Sequence, residues 1–215
     1  IKRQMFPDGC SPKTIPDGIL PAAALLRVGL AAGLLAGVSG FIFEAWVSRP
    51  GIAVVGLGGL VMFGAYTFGP FKFNYRGGGE FIEMLGVGVV LPWLNAYAVG
   101  GLFWAPSYTW ILGGFTLMAL SSALASGLAD EESDRAGGKR TFTTMFGNSP
   151  IRRWVGRTLV LGTTVWLAMA VGYPELRVPA LLAGLVAFYF HRRMSQASGE
   201  ALTNAFGAQK IFKLM

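Results

Sequence analysis

Cysteine is almost absent. Cys10 is the only one in 215 residues, so no intramolecular disulfide framework is available. Charge is scarce too. Asp, Glu, Lys and Arg make up 13% of the chain, about half the share of an ordinary soluble domain. Acidic residues are the rarer sign, 11 against 18 basic ones. No stretch reads as a cleavable signal peptide, and the first residue is Ile rather than Met; the chain is expected to be a piece of something longer. What it has in abundance is apolar length. Hydrophobic residues make up 53% and glycines number 31. So much apolar surface excludes intrinsic disorder, and the long uninterrupted runs argue against a soluble globule. The composition is that of a polytopic membrane protein.

A bilayer core of ~30 Å needs roughly 20 apolar residues in a helix. Six segments approach that length: 21–43, 52–71, 81–103, 108–129, 154–171 and 178–190. A helix satisfies its own backbone groups in lipid. The runs do not alternate polar with apolar residues, which excludes a barrel. The expected fold is therefore all-α, a single bundle of about six transmembrane helices over 1–215, with polar loops at 1–20, 72–80 and 130–153. Glycines such as Gly33, Gly37, Gly40 and Gly56 suit close helix contacts. Trp46, Trp104, Trp110 and Trp154 fall near span ends, where aromatic anchors belong.

Threading six spans sorts the loops onto two sides. One side collects Lys2, Arg3, Lys13, Lys72, Arg76, Arg135, Lys139, Arg140, Arg152, Arg153, Arg157, Arg192, Arg193, Lys210 and Lys213, fifteen in all; the other has only Arg49 and Arg177. Arg27 lies inside the first span. This asymmetry predicts that both termini and the polar loops are cytoplasmic, in an inner, plasma or photosynthetic membrane. The net charge of +7 then reflects topology and anionic membrane lipid, and needs no nucleic acid.

The densest polar stretch is Asp130-Glu131-Glu132-Ser133-Asp134-Arg135-Ala136-Gly137-Gly138-Lys139-Arg140-Thr141. Asp130 and Asp134 are four residues apart, so they share a face if the preceding helix continues one more turn. Two like charges on one face tolerate each other best beside a divalent cation, and Mg²⁺ suits oxygen ligands. Two glycines followed by Lys139 and Arg140 suit a diphosphate. Taken alone, a DxxxD pair more often marks a solvated interfacial loop; the Gly-Lys-Arg-Thr continuation shifts the reading toward function. A second stretch, Tyr75-Arg76-Gly77-Gly78-Gly79-Glu80, offers backbone that can approach a ligand closely. By itself it reads as a tight turn with an Arg76–Glu80 ion pair. In the third, Pro12 to Leu20, Asp17 reads as a helix cap. Among intramembrane polar residues, Glu83 lies near an interface, Asn95 follows Pro92 and could mend the backbone there, and Tyr97 is a candidate for lining a cavity. His191 opens an interfacial His-Arg-Arg run, where it snorkels.

The stretch 130–141 resembles the second aspartate-rich motif of the UbiA superfamily of intramembrane prenyltransferases, D-x-x-x-D-x-x-x-G-K-R-T, at every fixed position. Residues 75–80 resemble the Y-R-G-x-G-E loop of its 1,4-dihydroxy-2-naphthoate polyprenyltransferase (MenA-like) branch, and 11–20 resemble the segment after the family's first motif. The resemblance implies a bundle of nine helices, of which the chain holds the third to eighth. It implies that Asp130 and Asp134 bind Mg²⁺, and that Lys139, Arg140 and Arg76 contact the diphosphate of a polyprenyl donor. Asn95 and Tyr97 would line the cavity. The allylic group would pass to an aromatic acceptor, dihydroxynaphthoate by the 75–80 match, with hydroxybenzoate, homogentisate, chlorophyllide and haem relatives left open. One departure stands out. The family's first motif, of N-D-x-x-D-x-x-x-D type, is absent from the chain and is expected upstream of Ile1. Its absence leaves a second reading: a catalytically incomplete subunit of a membrane complex that binds quinone, pigment or lipid. A transporter fits less well, because the charges gather at one interface and not at the midplane.

Overall fold

A computed structural model describes residue 15 and residues 18–196, without the side chains of Ala129, Glu175 and 193–196. Cys10, the expected cap Asp17, and Lys2, Arg3, Lys13, Lys210 and Lys213 lie outside the described residues, as does most of the stretch 11–20. Among the described residues there are helices and no strand. In chain order they are α1 (Ala22–Val47), α2 (Ile52–Thr67), α3 (Phe73–Arg76), α4 (Gly79–Leu85), a π-helical segment (Gly86–Val90) and α5 (Leu91–Gly100). Then come α6 (Pro106–Ala136), α7 (Phe142–Phe146), α8 (Asn148–Gly172), a 3₁₀ turn (Pro174–Leu176) and α9 (Arg177–Gln196).

Four stretches are long and apolar enough to cross a membrane: Ala22–Val47, Gly79–Gly100, Pro106–Leu128 and Asn148–Gly172. The other two expected spans differ. Helix α2 is apolar but only 16 residues long, roughly 24 Å at the α-helical rise. Helix α9 has 20 residues, yet Arg177, His191 and Arg192 dilute its apolar run. The largest difference is in α6. Its 31 residues run through the acidic stretch that was expected to be loop, so Asp130 and Asp134 are helical. Helix α8 likewise starts at Asn148, turning part of the expected 130–153 loop into helix.

Each long helix packs mainly on its sequence neighbours, so α1, α2, the α4–π–α5 rod, α6, α8 and α9 stand as a row. Short connections make neighbours antiparallel, which gathers residues 68–78 and 137–147 at one end. The tightest seam joins α6 and α8. Ser121 is fully buried and its hydroxyl donates to the Val155 carbonyl at 3.0 Å. A Cβ on Gly162 would lie 3.0 Å from the Gly114 carbonyl oxygen. In lipid, such close approach of small residues supplies the packing that the hydrophobic effect supplies in water. Near the motif end this seam becomes an apolar block of Leu124, Ala125, Leu128, Ile151 and Val155, with Phe142 and Trp154 against it. Trp154, expected as an interfacial anchor, packs edge-on to Phe142.

The α4–π–α5 rod carries Pro92 just after its π segment. A proline there cannot donate to the Gly88 carbonyl one turn back; the Thr116 hydroxyl of α6 donates to it instead, at 3.4 Å. Asn95 mends the same region by donating its amide to the Leu91 carbonyl at 2.8 Å. At the opposite end from the motifs, the Glu44 carboxylate accepts from the Gly51 and Ala53 amides at 2.9 and 3.0 Å, satisfying donors at the start of α2.

Candidate active site

The last two turns of α6 present Asp130 and Asp134 on one face, as their spacing predicts once the helix continues. After Ala136 the chain must leave the helix and turn back. Gly138, at φ +67°, provides that turn, and the Lys139 amide donates to the Asp134 carbonyl at 2.8 Å. The turn brings the Lys139 ammonium to 3.2 Å from Asp134 Oδ2. Thr141 then caps α7. Its hydroxyl accepts from the Thr144 amide while the Thr144 side chain accepts from the Thr141 amide, a reciprocal capping box.

The glycine loop docks onto this turn at two points. The Tyr75 carbonyl accepts from the Arg140 amide at 2.9 Å. The Glu80 carboxylate accepts from the Phe142 amide at 2.7 Å, across 62 residues of sequence. Glu80 is only 8% exposed, so this charge-assisted bond is well shielded. The loop reaches its partner because Gly77 and Gly78 adopt φ values of +105° and +85°, which side-chain-bearing residues rarely adopt. Gly79 is required for another reason: a Cβ there would meet Asn74 Cα at 3.1 Å. The expected Arg76–Glu80 ion pair is not formed, because both partners are engaged elsewhere. Arg76 donates to the Pro70 carbonyl at 2.7 Å and stays exposed.

Between these parts lies a polar cavity of about 40 Å³, lined by Tyr66, Asn74, Glu80, Glu83, Ser126, Asp130, Asp134, Lys139 and Thr141, among others. That volume holds roughly three water-sized groups, which is room for an ion and not for a whole diphosphate. Its donors are oxygens, as a hard cation requires. Among the described residues, no three Asp, Glu, His or Cys side chains converge on a single metal position. Mg²⁺ commonly takes one or two carboxylates and completes its shell with water and substrate phosphate, so an aspartate pair beside an open cavity fits it.

The cavity has an apolar neighbour. Tyr66 and Glu83 also line an apolar groove of about 580 Å³ between α2 and the α4–π–α5 rod. That groove shares Gly56, Leu60 and Leu94 with a second of about 520 Å³, which reaches α1. The π segment shapes it, since Gly86, Val87 and Val90 form one wall.

The structure thus brings Asp130, Asp134 and Lys139 together. Arg140 and Arg76 stand beside them at the same end, exposed and outside the cavity lining. Asn95 lines the far groove, away from the carboxylates. Tyr97 lines neither: it is 3% exposed, stacks near Trp93 and Phe103, and donates to the Pro50 carbonyl at 3.0 Å, at the opposite end of the bundle. Sequence reasoning passed over Tyr66 and Asn74 and gave Glu80 a different partner. The signal for Glu80 was present: a carboxylate flanked by glycines has no local amide to cap. A family model described as the UbiA prenyltransferase family matches residues 11–214. No curated protein and no solved structure matches the chain.

Proposed function

The chain belongs to the UbiA prenyltransferase family, a family of membrane prenyltransferases, and from that premise we propose that it moves a polyprenyl group from its diphosphate to a dihydroxynaphthoate-like aromatic acceptor in quinone biosynthesis. The observation that carries this reading is a junction. A small carboxylate-lined cavity and an apolar groove share Tyr66 and Glu83 as walls, and a prenyl diphosphate has that same division between a charged head and a hydrocarbon tail.

In this reading Asp130 and Asp134 would hold Mg²⁺ at the cavity, and the metal would supply charge neutralisation for the departing diphosphate. Lys139, already oriented by Asp134, adds a cation to the same oxygens. Arg76 and Arg140 stand where a diphosphate too large for the cavity would rest at its mouth, and their guanidinium groups can take phosphate oxygens in pairs. These fixed charges act where the leaving group's charge builds up. The tail lies along α2 and the rod, entering from the bilayer, and Asn95 meets its distal part. The motif end faces the cytoplasm in the inner, plasma or photosynthetic membrane.

The test uses the full-length protein in nanodiscs with Mg²⁺, geranylgeranyl diphosphate and 1,4-dihydroxy-2-naphthoate, with prenylated product read by mass spectrometry. Product that requires Mg²⁺ and disappears in Asp130→Asn is expected. Donor binding without transfer to any aromatic acceptor would favour a catalytically silent subunit of a membrane complex.

A further inference from the structure

The polar cavity and the larger apolar groove share only two lining residues, Tyr66 and Glu83. If the donor lies as proposed above, its charged head is on one side of this pair and its hydrocarbon on the other. The carbon that joins them, where bonds break and form, must then lie between Tyr66 and Glu83. The other cavity carboxylates are committed. Glu80 holds the Phe142 amide, Asp134 holds Lys139, and Asp130 shares the metal-facing side of α6. Glu83 forms no hydrogen bond or ion pair among the described residues, is half-buried, and stands one turn along α4 from Glu80. Tyr66, a phenol, is a poor proton acceptor near neutral pH.

We infer that Glu83 is the base that takes the hydroxyl proton of the aromatic acceptor at the point where the two cavities meet. The inference rests on the prenyl-transfer reading. The acceptor O–H proton passes to the Glu83 carboxylate, and the phenolate's electron pair moves into the ring. A carbon–carbon bond forms between ring carbon and donor carbon as the donor's C–O bond breaks, and its electron pair leaves with the diphosphate. The ring regains aromaticity by losing carbon dioxide from that carbon, and the electron pair of the broken bond returns through the ring to its oxygen. Glu83 then returns its proton to that oxygen.

The experiment separates donor ionisation from transfer. In the full-length protein, Glu83→Gln should lower transfer from geranyl diphosphate to 1,4-dihydroxy-2-naphthoate by about 100-fold or more, the usual worth of a general base. Mg²⁺-dependent release of diphosphate without acceptor should stay within about threefold of the unsubstituted protein, and binding of geranyl S-thiolodiphosphate should be unchanged. Glu83→Asp should recover part of the transfer. An acceptor with a hydroxyl acidic enough to be ionised beforehand should rescue Glu83→Gln, which a structural role would not allow. Full transfer in Glu83→Gln overturns the inference, and so does loss of diphosphate release or analogue binding along with transfer. If the unsubstituted protein neither releases diphosphate nor transfers, the prenyl-transfer reading itself fails, and this inference falls with it.

Discussion

Asp130 and Asp134 sit where an α-helix least favours carboxylates. The C-terminal turns of α6 carry the negative end of its dipole, and an anion there costs about 0.3–1 kcal/mol. Lys139 and Arg135 offset part of this, pairing with Asp134 and Glu131. A placement that opposes local stability is expected where chemistry requires it. Asp130→Asn is therefore expected to leave thermal stability within about 1 kcal/mol while transfer falls by at least about 100-fold, the scale for removing one group aimed at developing charge; thermal scanning in detergent and product assay read the two effects. Glu80 should behave in the opposite way. Glu80→Ala leaves the half-buried Phe142 amide without its partner, which costs about 1 kcal/mol. Hydrogen exchange should show the amides of 139–146 losing protection while the α6–α8 seam keeps its own.

At the scale of elements, the site depends on how closely the π segment approaches α6. A Cβ on Gly88 would lie 2.5 Å from Thr116 Cα, and backbone cannot rotate away as a side chain can. Gly88→Ala is expected to destabilise the protein by about 1–3 kcal/mol and to narrow the groove formed by Gly86, Val87 and Val90. A chain-length series of prenyl diphosphates would read the narrowing as weaker binding of long donors with short ones less affected. This level of organisation divides what the sequence reveals from what it hides. Apolar runs set the positions of the helices, because burial from water demands them. The shared face of Asp130 and Asp134 follows from helical periodicity alone. The end of α6 was hidden because its Glu and Arg residues are good helix formers while its Asp and Ser residues also suit caps and loops. The docking of residues 75–80 on 139–142 was hidden too. It runs through the Tyr75 carbonyl and the Arg140 and Phe142 amides, and backbone groups leave no trace in side-chain patterns. Tyr97 misled for a related reason: a polar atom in an apolar run signals a partner, and here the partner is the Pro50 carbonyl at the wrong end.

At the scale of the whole molecule, the row of helices sorts the described basic residues by end. Lys72, Arg76, Arg135, Lys139, Arg140, Arg152, Arg153 and Arg157 lie at or within a few turns of the end with the carboxylate cavity, while Arg49 and Arg177 lie at the other. Lys and Arg near span ends are held on the cytoplasmic side during insertion, so the proposed orientation predicts that the cavity end faces the cytoplasm. A diphosphate cannot cross the bilayer core unaided, whereas its prenyl tail is soluble there. The proposed function therefore predicts that the cavity opens to the compartment where the donor's head is free. Cys10 is the only cysteine in these 215 residues, so Cys10→Ser, with any cysteine elsewhere in the full-length protein also replaced, gives a thiol-free background for a direct test. In that background, Ala136→Cys places an exposed thiol at the cavity end, and Leu102→Cys places one at the other, where Leu102 is 59% exposed. A membrane-impermeant maleimide added to sealed inside-out vesicles is expected to label Ala136→Cys and spare Leu102→Cys, and right-side-out vesicles should reverse the pattern. Labelling of both from one side would mean that the row does not span the bilayer as a unit. The reversed pattern would put the carboxylates outside and refute the charge argument, leaving the fold untouched.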